Sequence, residues 1–234
     1  MKIFIVHCHP EKTSFNYALT NQAKTTLRGL GHDVDVSDLY EADWNANSGR
    51  NNFIMQADNL RFTQQIEEHN AVLNNGFSKE ISTEIQKLIN CDLLIFQFPL
   101  WWGGMPALLK GWIDKVFARG VAYDYGQWYD KGLMKGKRAM VSLTTGGGSN
   151  MYQPTGLNGD INLILAPIHY NTLHFCGFDV LPPFISWQGG GATVDERLTT
   201  LNSYANYLGN INNLQPLSYP SLDEYDTNTL QLIV

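Results

Sequence analysis

The sequence predicts an α/β chain built on a doubly wound parallel sheet. Two short runs, KIFIV (2–6) and CDLLIFQFPL (91–100), have the unbroken hydrophobicity of strands buried on both faces. Such runs alternate with helical patterns along the chain, the order expected of parallel strands joined by crossover helices. Composition agrees: of 234 residues 44% are hydrophobic and 16% charged, which supports a sizeable core and opposes disorder.

KIFIV ends in polar residues, and the loop HCHPEKTS leads into a helix from about Phe15 to Leu30. Ser14 or Asn16 suits its cap, and Gly29 and Gly31 its stop. DVDVSDLY (33–40) alternates like a second strand. Residues 41–78 are polar, rich in Asn and Gln, with weak helical periodicity near 56–68, and read as an excursion with short helices. A helix over 79–90 precedes the strand 91–100. PALLKGWIDKVFA (106–118) has helical spacing, with Pro106 suited to a first turn. GKRAMVSLTT (136–145) is a fourth strand, followed by glycines. A helix over 159–174, a fifth strand near 177–187 and a helix over 194–209 complete one domain over 1–210. The tail, 211–234, reads as irregular.

A net charge of −6 disfavours nucleic acid, whose phosphates call for a basic footprint. Cys8, Cys91 and Cys176 are too scattered for a disulfide framework. The opening MKIFIVHCHP lacks the pattern of a signal peptide. No apolar stretch approaches the ~20 residues of a membrane span. A cytoplasmic protein is expected.

Neither G-x-G-x-x-G nor G-x-x-x-x-G-K-[ST] follows the first strand. His9, Thr13, Ser14 and Asn16 stand there instead, before a helix N-terminus whose amides and dipole can hold phosphate. Plain capping explains Ser14 and Asn16 equally well when that loop is taken alone. In a doubly wound sheet, ligands bind beyond the carboxyl ends of the strands. The third strand ends in Pro99-Leu100-Trp101-Trp102-Gly103-Gly104 and the fourth in Thr144-Thr145-Gly146-Gly147-Gly148. Aromatics or hydroxyls beside glycines suit a flat heteroaromatic ring. Core packing or a dimer contact is the plainer account of the tryptophans, and a flexible turn that of the glycines.

The stretch 96–147, together with SFN (14–16), VSDLY (36–40), MYQPTGLNGD (151–160) and TLHFCGF (172–178), resembles the flavin-dependent NAD(P)H:quinone oxidoreductases of the flavodoxin-like class. The similarity runs over about 1–210 and is weakest over 41–78. It implies a five-stranded parallel sheet with helices on both faces, and a homodimer with FAD, rather than FMN, at interfacial active sites. By that resemblance His9, Phe15, Asn16, Tyr17 and Ala18 hold the pyrophosphate and ribityl part. Pro99, Leu100, Trp101, Trp102, Gly103, Thr144, Thr145, Gly146 and Gly147 frame the ring, and Arg197 lies near the adenine end. Tyr152 faces the N1–C2=O edge, where with the amides of Gly146 and Gly147 it stabilises charge in oxyanion-hole manner. Tyr123, Asp124, Tyr125, Trp102 and Asn158 line the quinone pocket, Tyr123 and Tyr125 coming from the partner subunit. Edge or interface packing is the plainer reading of those two tyrosines.

The implied chemistry is ping-pong: a reduced nicotinamide gives hydride to flavin N5 and leaves, and a quinone then receives it. Asn158 stands where many family members have a histidine that relays a proton with the tyrosine. An amide orients an oxygen but is no general acid. Asn158 and the short C-terminus resemble the subgroup lacking the extra C-terminal domain, some of which prefer smaller dihydronicotinamides. A related subgroup carries a peripheral metal at the position of His174, where Tyr170 replaces a second histidine and His169 adjoins it. Without HExxH or CxxC, no metal is predicted. The rivals are an azo- or nitro-compound reductase on the same scaffold, a non-enzymatic flavodoxin-like carrier of single electrons, and a regulatory subunit that retains flavin with little turnover.

Overall fold

The computed structural model describes residues 1–233; the predicted tail, 211–234, ends at a residue outside that range. Strand β1 (Lys2–His7) lies beside β2 (Asp33–Asp38) on one side and β3 (Leu93–Pro99) on the other. β4 (Arg138–Thr144) follows β3 and pairs with both β5 (Asp179–Val180) and β6 (Phe184–Ser186). All pairings are parallel, in the order β2-β1-β3-β4-β5. This is the flavodoxin-like order that the resemblance implies, with its switch point between β1 and β3. The predicted fifth strand is two short strands, because Pro182 and Pro183 supply no N–H to β4. The sheet therefore has a sixth strand.

Alternation along the strands splits the core in two. Ile3, Ile5, Leu93, Ile95 and Met140 face helices α1 (Phe15–Gly29) and α6 (Val194–Gly209). Phe4, Val6, Phe96, Val141 and Leu143 face α3 (Lys79–Asn90), α4 (Ala107–Val116) and α5 (Ile161–Ile168). Ser14 caps α1 by accepting from the Tyr17 N–H, so the capping role falls to Ser14 rather than Asn16. Gly31, at φ 82, carries the chain out of that helix. Thr193 and Glu196 form a reciprocal capping box on α6.

Three expectations are corrected in detail. The helix of the polar excursion, α2 (Gln64–Asn74), starts later than its periodicity suggests, because its buried residues include Glu67 and Glu68. These carboxylates turn inward to accept loop amides, Glu67 from Ala57 and Asp58 and Glu68 from Arg119. The predicted 159–174 helix changes to π geometry over His169–His174, just after Pro167. The tail carries two 3₁₀ turns, Ile211–Asn213 and Leu222–Glu224, and is tied back by Arg138, which donates to the carbonyls of Ile211 and Leu214.

Candidate active site

The carboxyl ends of β1, β3 and β4 and the amino ends of α1 and α6 enclose a cleft of about 460 Å³ at the switch point. His9 comes from the β1 loop. Its Nδ1 accepts the Glu11 N–H at 3.0 Å, which leaves the proton of a neutral ring on Nε2. From α1 come Phe15 and the buried Asn16. From β3 come Pro99, Leu100 and Trp101, and from β4 Thr144, Thr145 and Gly146.

Asn16 is committed within the protein. Its Nδ2 donates to Thr144 Oγ1 at 2.8 Å, and Gln97 Nε2 donates to its Oδ1 at 2.9 Å. This chain ties α1 to β3 and β4, so Asn16 fixes the walls of the cleft. Trp101 and Gly104 exchange backbone hydrogen bonds of 3.0 Å across a two-residue turn. Its central residues, Trp102 and Gly103, both have positive φ, 53° and 71°, which is the type I′ signature. The turn presents Trp101 to the cleft beside His9, ring centroids 6.0 Å apart. Trp102 stands outside the cleft lining, its side chain fully exposed.

Among the described residues no carboxylate lines the cleft, although the protein is acidic overall. Arg197, in the first turn of α6, reaches it with its Cζ 5.9 Å from the Phe15 ring centroid. Its Nε is buried and has no partner among the described residues. Among those residues no hydrogen bond engages the N–H of Phe15, Asn16, Gly146 or Gly147 either. The cleft thus offers donors to an anion and no repelling charge. A larger concavity of about 650 Å³ at the β2 end suits a polyanion less, since Asp38, Glu41, Glu80 and Glu84 line it together with three lysines.

A family model described as the flavodoxin-like fold matches residues 1–208. The guinea pig (Cavia porcellus) NAD(P)H dehydrogenase (quinone) 1 is 41% identical over 228 residues, 97% of this chain and 83% of that protein. The chain belongs to the flavodoxin-like quinone reductase family. Other members are as near: the mouse (Mus musculus) ribosyldihydronicotinamide dehydrogenase (quinone) is 42% identical over 92% of this chain and 94% of its own. A solved candidate quinone reductase from Klebsiella pneumoniae superimposes with a TM-score of 0.95 at 34% identity, covering 100% of this chain and 94% of that one. The chain is, with its family, an oxidoreductase.

The other residues that the family resemblance singles out fall in two groups. Gly147 and Tyr152 stand outside the cleft lining, Gly147 next in sequence to the lining residue Gly146. A Cβ on Gly147 would stand 2.7 Å from Met151 Sδ and 3.4 Å from the Tyr152 ring, so a larger residue there displaces the flexible end of Met151. Tyr152 is buried against Trp187, centroids 5.5 Å apart, and its hydroxyl makes no hydrogen bond among the described residues. Asn158 is exposed, held by its N–H to the Met151 carbonyl at 2.8 Å.

The second group lies elsewhere. Tyr17 turns from the cleft to His7, centroids 5.6 Å apart in T-shaped geometry. Ala18 serves the helix, its N–H bonded to the Ser14 carbonyl. Tyr123 lines a separate concavity with Gln65, Glu68 and Phe175, and its hydroxyl accepts from Gln65 Nε2 at 3.1 Å. Burial raises the Tyr123 pKa, so the phenol stays protonated. Asp124 and Tyr125 share that loop, and neither is among the described residues that line the cleft. Sequence reading passed over Gly189 and Gly190, which line the cleft; their signal is a second glycine run, Gly189-Gly190-Gly191, just before the capping box of α6.

Among the described residues no three His, Cys, Asp or Glu side chains group as a metal site, and no helix is long and apolar enough to cross a membrane.

Proposed function

We propose that the chain is a cytoplasmic, homodimeric FAD enzyme that reduces quinones by two electrons at the expense of a reduced nicotinamide. The observation that carries this reading is the carboxylate-free cleft, with four unbonded amides and the orphaned Arg197 Nε at its rim. That donor set fits the pyrophosphate and the polar ring edge of FAD. The names of the mammalian relatives, dehydrogenases of quinone, support the substrate class. The mouse relative's name favours ribosyldihydronicotinamide as a reductant to test beside NAD(P)H.

When bound, the flavin supplies hydride transfer between nicotinamide and quinone, which use the site in turn. The protein's own part is to hold and tune. The α1 N-terminus, His9 and Arg197 take the phosphates. Trp101, Leu100 and Pro99 wall the ring against water. With flavin bound, the unbonded Gly146 and Gly147 amides would be the donors available to stabilise negative charge on it. Tyr152 holds an exchangeable proton there, while Asn158 orients a substrate oxygen without acid chemistry. Tyr123, Asp124, Tyr125 and Trp102 complete the quinone pocket across the dimer; their separation from the cleft within one chain favours that arrangement.

Heat-released flavin separates FAD from FMN by chromatography. Anaerobic stopped-flow mixing with NADPH, NADH or ribosyldihydronicotinamide, followed by a quinone, then tests turnover. Bleaching and recovery of the flavin band within seconds is expected; a purified protein without flavin, or one that no nicotinamide bleaches, overturns the reading.

A further inference from the structure

The loop after α4 carries a side-chain clamp. Arg119 Nε donates to Asp124 Oδ1 at 2.7 Å, and the same oxygen accepts the Tyr125 N–H at 2.8 Å. The Arg119 guanidinium lies on one face of the Tyr125 ring, its Cζ 4.0 Å from the centroid. Behind it, the Arg119 backbone N–H donates to the buried Glu68 carboxylate at 2.8 Å. His69 Nδ1 stands 3.8 Å from the other Asp124 oxygen. Asp124 and Gln127 exchange hydrogen bonds of 3.2 and 2.9 Å across the loop tip, where Gly126 has φ 75°. Backbone and ring are therefore both held at Tyr125, although its side chain is 68% exposed.

An exposed tyrosine ordinarily samples several rotamers, and a ligand that stacks on it must freeze them. Here one ring face is occupied by a cation in attractive geometry. The opposite face is left as a flat surface set before any ligand arrives. A benzoquinone covers little of such a surface, whereas a fused second ring extends the stacked area.

We infer that Arg119 is a positioning residue that, anchored by Asp124, presets Tyr125 as a stacking platform for planar fused-ring quinones. The inference rests on the reading of this loop as part of the quinone pocket. Lysine cannot replace the guanidinium fully, because it lacks the delocalised planar cation that can bond Asp124 and cover the ring at once.

The test uses flavin-loaded protein and two acceptors, 1,4-naphthoquinone and tetramethyl-1,4-benzoquinone. KM and kcat are measured, together with naphthoquinone affinity by protein fluorescence quenching in the absence of reductant. Arg119→Ala is expected to weaken naphthoquinone binding and raise its KM about fivefold to tenfold, with a smaller change in kcat and in the KM of the one-ring quinone. Arg119→Lys recovers part of the loss. In a Tyr125→Ala background, Arg119→Ala has no further effect, since the arginine acts through the ring. Thermal melting and flavin content show that each variant is folded and loaded. Unchanged naphthoquinone affinity in Arg119→Ala, additive losses in the double variant, or equal losses for both quinones overturn the inference. Naphthoquinone binding without turnover in the wild type sinks the reductase reading and leaves the platform standing.

Discussion

Arg197 Nε is a buried donor with no acceptor among the described residues, and such a group normally costs about 1–3 kcal/mol. In the proposed reading, an anion held in the cleft beside it accepts from it. Replacing Arg197 by Ala is expected to weaken flavin affinity about tenfold or more, read by flavin fluorescence on titration into flavin-free protein, with Lys intermediate. Equal affinity would remove Arg197 from the site. The residue scale also shows what sequence could yield. Trp101, Thr144, Thr145 and Gly146 were legible because residue type and strand-end position agree. The role of Asn16 was not, since an amide before a helix suits a ligand as well as a partner. Only the register that brings Gln97 and Thr144 to it reveals a structural tie.

At the scale of elements, β1, β3 and β4 were legible because strands buried on both faces cannot conceal their hydrophobicity. The start of α2 was obscured by Glu67 and Glu68, whose burial depends on amides distant in sequence. The break between β5 and β6 was written in Pro182-Pro183 but needs the neighbouring strand to be seen. Two elements also carry a pH liability. His7 ends β1 and His169 opens the π turn; both are buried, each with an Nε2 that has no partner among the described residues. Burial lowers the pKa of each to about 4, for His7 against the opposing charge of Asp38. The unfolded chain binds protons near the ordinary 6.5 and the folded one resists until about 4. Stability is therefore full above pH 6.5 and falls as pH drops toward 4. The loss at pH 5 is on the order of 1–2 kcal/mol per histidine. Thermal melts from pH 7.5 to 4.5 are expected to show this decline, and His169→Leu to flatten it; an identical slope in that variant would assign the decline to other groups.

For the whole molecule the decisive feature is a residue that the monomer does not need. Trp102 has the left-handed φ of 53° and a side chain wholly in solvent. That conformation costs a bulky residue on the order of 1 kcal/mol. No side-chain packing among the described residues offsets it, and Asn would serve a type I′ turn before Gly103 better. A fully exposed ring excludes core packing. Leu60 and Leu157 add further apolar surface, 97% and 88% exposed. In the proposed homodimer the partner subunit's surface covers the indole, and one substitution separates the two roles of this position. Trp102→Asn should leave the melting temperature of dilute protein equal or higher, because the turn improves. It should also weaken self-association about tenfold or more, as loss of a large aromatic anchor does, measured by sedimentation across a concentration series. Quinone turnover should fall with the dimer fraction while Arg197 still retains flavin. A variant that associates as tightly as the wild type would show that Trp102 stands at no interface, and its strained turn would then serve the cleft alone.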